Sequence, residues 1–119
     1  MKRTGSTNIH LRKLISDLRK AARENNARIW RSVAEFLERP TRQRVKVNLS
    51  KVNRYTQEGD VVVVPGKVLG SGTLDHPVTV AAWDFSEKAF KKINNIGRAI
   101  TIKRMLEENP KGREVKIIV

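Results

Sequence analysis

The sequence predicts an α/β protein in which basic helices come first and a module of strands and helices follows. Apolar residues recur at helical spacing between residues 11 and 37, whereas short apolar runs bounded by Gly, Pro and Asn dominate from residue 60 onward. At 119 residues the chain has the usual size of one domain. We therefore expect a single domain (1–119) with a basic flexible tail (1–7), a basic and mainly helical part (8–59) and a β/α module (60–119).

The basic helical part begins with two predicted helices. In the first, the pair Thr7-Asn8 supplies a candidate N-cap and the pair Asn25-Asn26 ends the pattern. Its apolar face consists of Leu11, Leu14, Ile15, Leu18 and Ala22. The second helix ends before Pro40, because the residue preceding a proline resists the helical backbone conformation. Its apolar face consists of Trp30, Val33, Ala34 and Leu37.

Residues 41–47 have the alternation of an extended strand. Since side chains two positions apart share a face of a strand, we expect Arg42, Arg44 and Lys46 to point the same way. Asn48 is a candidate cap for a short helix that follows this strand. The helix has two inward apolar positions and two outward basic positions, namely Leu49 and Val52 against Lys51 and Arg54.

The module from residue 60 onward has the predicted pattern βββαβαβ. Its strands are, in order, Val61–Val64, Lys67–Leu69, Val78–Trp83, Ala99–Ile102 and Val115–Val119. Pro65-Gly66 is predicted to be a turn between the first two strands, and residues 70–77 form a loop. Ser86 is predicted to cap a helix, and a short helix around Met105-Leu106 ends before Pro110. The apolar face of the longer helix consists of Ala89, Phe90, Ile93 and Ile96.

The charge of the chain restricts its function more strongly than its size does. It contains 25 Lys and Arg against 12 Asp and Glu, a formal charge of +13. Residues 1–59 hold 15 of the cations and 5 of the acids, and residues 60–119 hold 10 and 7. Cations at this density repel one another unless a polyanion neutralises them, and nucleic acid is a commoner partner than an anionic membrane surface. We expect the amino-terminal half to face that polyanion.

Signals for catalysis, metals and nucleotides are weak. The chain has no Cys, which excludes thiolate nucleophiles and thiolate zinc sites. The glycine-rich segment 66–72 lacks the ending of a phosphate loop and the helix of a dinucleotide site. His10 and His76 have no carboxylate cluster nearby in sequence, and Asp75 beside His76 is typical of a turn. No apolar run approaches the about 20 residues of a membrane span. We therefore expect no enzyme activity, cofactor, metal, small-molecule substrate or membrane contact.

The six aromatic residues indicate how the chain would bind nucleic acid. Trp30, Phe36 and Phe90 lie on or beside apolar helix faces, so we assign them to the core, and Tyr55 alone is loosely placed. Proteins that bind single strands need exposed aromatic platforms, and this chain has few. We therefore expect contacts to phosphates and recognition of folded RNA by its shape. A non-specific, nucleoid-like nucleic-acid-binding protein is the alternative.

Four strings, in this order along the chain, resemble one protein family. They are Val47-Asn48-Leu49-Ser50-Lys51-Val52, Asp60 through Gly72, Phe85-Ser86 with Ala89 and Lys92-Ile93, and Asn109-Pro110-Lys111-Gly112. Over residues 8–119 the chain is similar to the archaeal and eukaryotic large-subunit ribosomal proteins called L-eighteen-e, distant kin of bacterial L-fifteen. It lacks the extensions of eukaryotic relatives, which favours an archaeal member. Many relatives have Gly-Gly where this chain has Gly97-Arg98.

The resemblance implies a cytoplasmic, non-catalytic structural protein of the large ribosomal subunit that binds large-subunit rRNA beside neighbouring ribosomal proteins. It also implies a fold built as an irregular superhelix of β-β-α turns fronted by helices. We expect the phosphate contacts to come from basic residues of the tail, the first helix, the segment 39–54 and two positions of the module. These residues are Lys2, Arg3, Arg12, Lys13, Arg19, Arg23, Arg39, Arg42, Arg44, Lys46, Lys51, Arg54, Lys67 and Arg98.

Overall fold

The computed structural model describes residues 5–119, and the burial of side chains from residue 9 onward with the exception of Thr41. The helices are α1 (Gly5–Asn25), α2 (Arg28–Leu37), α3 (Leu49–Arg54), α4 (Glu87–Ile96) and α5 (Ile102–Glu108). The strands are β1 (Val45–Asn48), β2 (Val61–Leu69), β3 (Thr79–Phe85), β4 (Arg98–Thr101) and β5 (Val115–Ile117). The predicted α/β class, with helices first and strands after them, is confirmed. Lys2 and Arg3 of the predicted tail lie outside the described residues.

The five strands form one sheet in which every pairing is parallel. Their order is β1-β2-β3-β4, and β5 also pairs with β2. β3 pairs along one edge of β2, and two strands share the other edge. On that edge β5 pairs with Val61–Val63 and β1 pairs with Gly66–Leu69. This shared edge places β1, from the basic helical part, in the sheet of the β/α module.

The sheet is covered on both faces, and β2 contributes to both cores. Val63 packs in one core with residues of α1, α2 and α5, including the fully buried Leu18 and Trp30. Val62 and Val64 pack in the second core with residues of α3 and α4. A strand that is buried on both faces needs apolar residues at successive positions, which explains the continuous run of Val in the sequence.

The structure corrects the predicted start of the first helix. α1 begins at Gly5, so Thr7 and Asn8 lie within the helix and do not cap it. The predicted end is confirmed, because the helix finishes at Asn25 and Asn26 adopts a left-handed backbone conformation with a φ of 53°. Asn tolerates that conformation better than most residues do, so it suits the turn into α2.

The predicted strand 41–47 is only partly correct. Thr41–Gln43 form a turn of 3-10 helix, in which the Gln43 amide donates to the Pro40 carbonyl at 2.8 Å. Such turns are common connections after a helix. The strand begins at Val45, so Arg42 and Arg44 lie outside it and do not share a strand face with Lys46 as predicted.

The predicted turn at Pro65-Gly66 is wrong, because β2 runs through it without interruption. The register against β3 shifts between Val64 and Lys67, where β2 holds one more residue than its neighbour. Pro65-Gly66 is therefore a bulge opposite Trp83 rather than a reversal of the chain. The module has the pattern ββαβαβ, with one long strand where two were predicted.

The predicted apolar face of α4 is half correct. The Ser86 hydroxyl caps the helix by accepting from the Ala89 amide at 3.1 Å, as predicted. Ala89 and Ile93 are buried, but Phe90 is 47% exposed and Ile96 is 37% exposed. Phe90 instead packs edge-to-face on Phe85 with ring centres 5.9 Å apart.

Candidate nucleic-acid interface

The turn between α1 and α2 brings four arginines around one groove. The Ala27 amide donates to the Ala22 carbonyl at 3.0 Å across this turn, and α2 then packs against α1. The resulting groove has a volume of about 380 Å³. It is lined by Arg19 and Arg23 of α1 and by Arg28 and Arg31 of α2, with Ala22 and Asn26 between them. We call it the α1–α2 groove.

Two of these four arginines pair with carboxylates. Arg19 pairs with Glu38, and Arg31 Nε lies 3.7 Å from Glu35 Oε2. Both pairs are solvent-exposed, and such pairs contribute only about 0–1 kcal/mol. Among residues 5–119, no carboxylate lies within salt-bridge distance of the other two arginines, Arg23 and Arg28. The α1–α2 groove therefore offers guanidinium groups that can bind an anion.

A second groove, the β1–β2 groove, lies where these two strands pair. The register sets Lys46 beside Lys67 of β2, and Lys67 beside Asp84 of β3. β1 can approach this closely because residue 66 is Gly, since a Cβ there would collide with the backbone of Val45. The groove has a volume of about 160 Å³ and is lined by Arg44, Val45, Lys46, Lys67, Trp83 and Asp84.

Three cations and one carboxylate line the β1–β2 groove. Lys67 Nζ lies 3.7 Å from Asp84 Oδ2. Arg44 Nη2 donates to the Arg39 carbonyl at 3.3 Å, while Arg44 Nε is buried with no hydrogen-bond partner in the described part of the chain. A buried donor without an acceptor costs about 1–3 kcal/mol. The β1–β2 groove therefore combines excess positive charge with an unsatisfied guanidinium.

The remaining predicted contact residues are dispersed. Arg39 is exposed with its guanidinium 4.6 Å from the centre of the Phe36 ring. Lys51 donates to the Val119 carbonyl and lines a separate groove with Tyr55 and Lys116. The structure thus does not bring Lys51 together with the β1–β2 groove. Three further predicted residues are exposed and have no salt bridge within residues 5–119, namely Arg12, Arg42 and Arg54.

Besides Arg19 and Lys67, two further predicted contact residues pair with carboxylates. Lys13 Nζ lies 3.1 Å from Asp17 Oδ1. The Arg98 guanidinium donates to both oxygens of Glu108, at 2.9 and 2.5 Å, and Arg104 donates to the same carboxylate at 2.7 Å. The hydrogen bonds from Arg98 and Arg104 lower the pKa of Glu108 to about 2. Arg98 is the first residue of β4 and is not among the described residues with a positive φ, so its backbone conformation does not require Gly.

His76 belongs to a hydrogen-bonded chain that stabilises a loop. Its Nδ1 lies 2.7 Å from Asp75 Oδ1 and its Nε2 lies 2.7 Å from Thr56 Oγ1. The hydrogen bond from His76 lowers the pKa of Asp75. Thr56 is buried and its hydroxyl donates to the Val52 carbonyl at 2.7 Å, so this hydroxyl is committed to the end of α3. The arrangement joins the loop before β3 to α3.

Other kinds of site receive no support from the described residues. Within residues 5–119, no group of three or more His, Cys, Asp or Glu side chains is placed to hold a metal ion. None of the helices in that range has the length and apolarity needed to cross a membrane.

Sequence reasoning missed Arg28 and Arg31 as members of a basic groove. Arg19 and Arg23 are four positions apart on α1, and a short break separates α1 from α2. Residues three or four positions apart share a helix face. A short break brings α2 back beside α1. Arg28 and Arg31, three positions apart on α2, were therefore the signal that could have identified the groove.

Comparison with known proteins identifies the family. A model of the family described as ribosomal proteins 50S-L15, 50S-L18e and 60S-L27A matches residues 11–101. The large ribosomal subunit protein eL18 of Methanopyrus kandleri is 52% identical, covering 97% of this chain and 95% of the relative. The protein of the same name from Haloarcula marismortui is 50% identical, and the match covers 94% of this chain and 97% of the relative. The one from Pyrobaculum aerophilum is 51% identical, and the match covers 98% of this chain and 96% of the relative.

These matches extend over nearly the whole chain at about half identity, and they agree with the four strings that suggested the resemblance. The family consists of ribosomal proteins and is not an enzyme family. The chain therefore belongs to the family of ribosomal proteins 50S-L15, 50S-L18e and 60S-L27A, and within it to the archaeal type of eL18.

Proposed function

We propose that the protein is a structural constituent of the large ribosomal subunit in the cytoplasm, where it binds and stabilises folded large-subunit rRNA through phosphate contacts. Its family and the names of its relatives support the ribosomal role. The formal charge of +13 supports a polyanionic partner, because a compact chain with this excess of cations is destabilised by self-repulsion until the charge is neutralised. Neighbouring ribosomal proteins are its further partners, and the function requires no cofactor.

The α1–α2 groove is the observation that carries the proposal. Its four arginines surround one concave surface, and Arg23 and Arg28 are without carboxylate partners among the described residues. The planar guanidinium group can donate two parallel hydrogen bonds to one phosphate, which a lysine cannot do. A row of phosphates along the edge of a folded RNA would supply acceptors for Arg23 and Arg28.

The β1–β2 groove provides the second set of phosphate contacts. Arg44, Lys46 and Lys67 converge there, with Asp84 as the single carboxylate of the lining. A phosphate at this groove replaces Asp84 as the partner of Lys67 and brings acceptor oxygens to the guanidinium. Arg98 contributes least among the predicted residues, because Glu108 already accepts hydrogen bonds from both of its Nη atoms.

A competition experiment tests this function. The protein is bound to a transcript of archaeal large-subunit rRNA on filters and challenged with duplex DNA of equal nucleotide concentration at several salt concentrations. We expect the rRNA to be retained and the DNA to compete poorly, with affinity that falls steeply as salt rises. Equal competition by duplex DNA would support the nucleoid-like alternative, and binding that does not depend on salt would refute phosphate recognition.

A further inference from the structure

Trp83 separates two small grooves that both contain cations. On one side it lines the β1–β2 groove. On the other side it lines a groove of about 240 Å³ between α1 and the ends of β3 and β4, which also contains Lys13, Asp17 and Lys103. We call this the α1–β3 groove. Trp83 lines both grooves and stands opposite the bulge at Pro65-Gly66, where the regular register of β2 and β3 is interrupted.

The two tryptophans of the chain have different environments. Trp30 is 0% exposed, and its indole N–H donates to the Pro110 carbonyl at 2.8 Å. Trp83 packs against the core beneath α1 and α2 but is only partly buried. In the described part of the chain its indole N–H has no hydrogen-bond partner, and it is not among the buried unsatisfied atoms. Trp83 is therefore an aromatic residue with an accessible polar edge.

The charges around Trp83 favour an anionic strand on both sides. Lys13 and Lys103 lie in the α1–β3 groove with Asp17. The β1–β2 groove adds three cations and one carboxylate. The surroundings of this indole therefore hold five cations against two carboxylates. The carboxylates pair with Lys13 and Lys67 at 3.1 and 3.7 Å in exposed positions, and such pairs exchange readily for phosphate.

We propose that Trp83 is the contact site for one unpaired nucleotide of the rRNA, whose base packs on the indole while its flanking phosphates occupy the two grooves. This inference rests on the proposed function and adds a base contact to its phosphate contacts. Each groove is smaller than the about 300–1,000 Å³ of pockets that enclose a whole small-molecule ligand. Their size and charge suit a base and a phosphate of a strand that crosses the surface. Aromatic faces stack on any base, so the contact recognises that a nucleotide is unpaired and does not discriminate between the four bases.

Intrinsic fluorescence tests the contact without any substitution. The probe is the fragment of the archaeal large-subunit rRNA transcript that the bound protein protects from nuclease. Since Trp30 is buried, we expect iodide to quench Trp83 in the free protein, and the fragment to quench its emission and to shield it from iodide. In Trp83→Phe the quenching by the fragment should disappear. Salt-dependent binding of the fragment with unchanged emission and unchanged iodide access would overturn the inference and leave the proposed function intact.

Substitutions provide the second test. We expect Trp83→Ala to weaken binding to the rRNA fragment on the order of 5- to 150-fold, the range for one stacked base, with the salt slope unchanged. Trp83→Phe should retain most of the affinity, and its thermal unfolding reports whether the fold is kept. If Trp83→Ala binds the rRNA fragment with unaltered affinity while Lys46→Gln binds it more weakly, the base contact is refuted and the phosphate contacts are not. Absence of salt-dependent binding by the unmodified protein would refute the proposed function itself.

Discussion

Replacing Lys46 and Lys67 together by Gln tests whether the β1–β2 groove binds phosphate. The two lysines are neighbours through the strand register, and the Lys67 side chain is 42% exposed. Within the described residues, the only salt bridge that the change removes is the one between Lys67 and Asp84. A surface pair of this kind contributes about 0–1 kcal/mol to folding. We therefore expect thermal unfolding of the double variant to stay close to that of the unmodified protein.

The expected effect on RNA binding follows from counterion release. Each phosphate contact contributes about 0.7–0.9 to the slope of log affinity against log salt, so the loss of two contacts flattens the slope by about 1.4–1.8. Between about 50 and 200 mM salt, the affinity of the double variant should then fall roughly tenfold less than that of the unmodified protein. Filter binding to the rRNA transcript across this range measures the difference.

The matched control removes the same charge elsewhere. Lys88 and Lys91 lie on α4, are exposed and line neither basic groove, and Lys91 pairs with Glu87 at 3.0 Å. We expect Lys88→Gln with Lys91→Gln to leave the salt slope nearly unchanged. A slope that changes equally in both double variants would show that net charge alone governs binding. An unchanged slope in the Lys46 and Lys67 variant would exclude the β1–β2 groove as a phosphate site.

Two further predictions concern the framework of the fold. Gly66→Ala should destabilise the protein by about 1–3 kcal/mol in urea unfolding, because the new Cβ would lie 2.8 Å from the carbonyl carbon of Val45 and force β1 away. Gly59→Ala, where nothing lies within 4 Å but φ is +86°, should cost about 1–2 kcal/mol from backbone strain alone. A Gly66→Ala variant as stable as the unmodified protein would contradict the steric explanation. Glu108→Gln should lower the melting temperature at neutral pH. Because the folded pKa of Glu108 is about 2 against an ordinary value of 4.5, its stabilisation is present above about pH 4.5 and disappears as the pH falls toward 2. A melting-temperature difference that persists at pH 2 would contradict this assignment.

Much of the fold could be predicted from local patterns. The apolar stripes of α1 and α2 and the Ser86 cap of α4 depend on residues close in sequence, and local spacing is enough to find them. Pro65-Gly66 misled the prediction, since the same dipeptide suits a turn and a bulge. Only the pairing of β2 with both β3 and β1 distinguishes the two, and that pairing is a long-range property.

The basic grooves show the same limit. The sequence predicts a cationic amino-terminal half, but it does not show that Lys67 of the module lies beside Lys46. The parallel pairing of β1 with β2 brings these two lysines together, and that pairing is a long-range property. The exposure of Phe90 was likewise unpredictable from spacing alone, since it depends on how little of α4 the sheet covers. Which arginines are free to bind phosphate depends on carboxylates distant in sequence, such as Glu38 beside Arg19.

The most direct measurement is a cryo-EM structure of an archaeal large ribosomal subunit that contains this chain. We expect phosphate oxygens of the rRNA within hydrogen-bond distance of Arg23 or Arg28 in the α1–α2 groove and of Lys46 or Arg44 in the β1–β2 groove. If both grooves face solvent and the rRNA meets only α4 and the loop before β3, the proposal that these grooves bind phosphate is wrong.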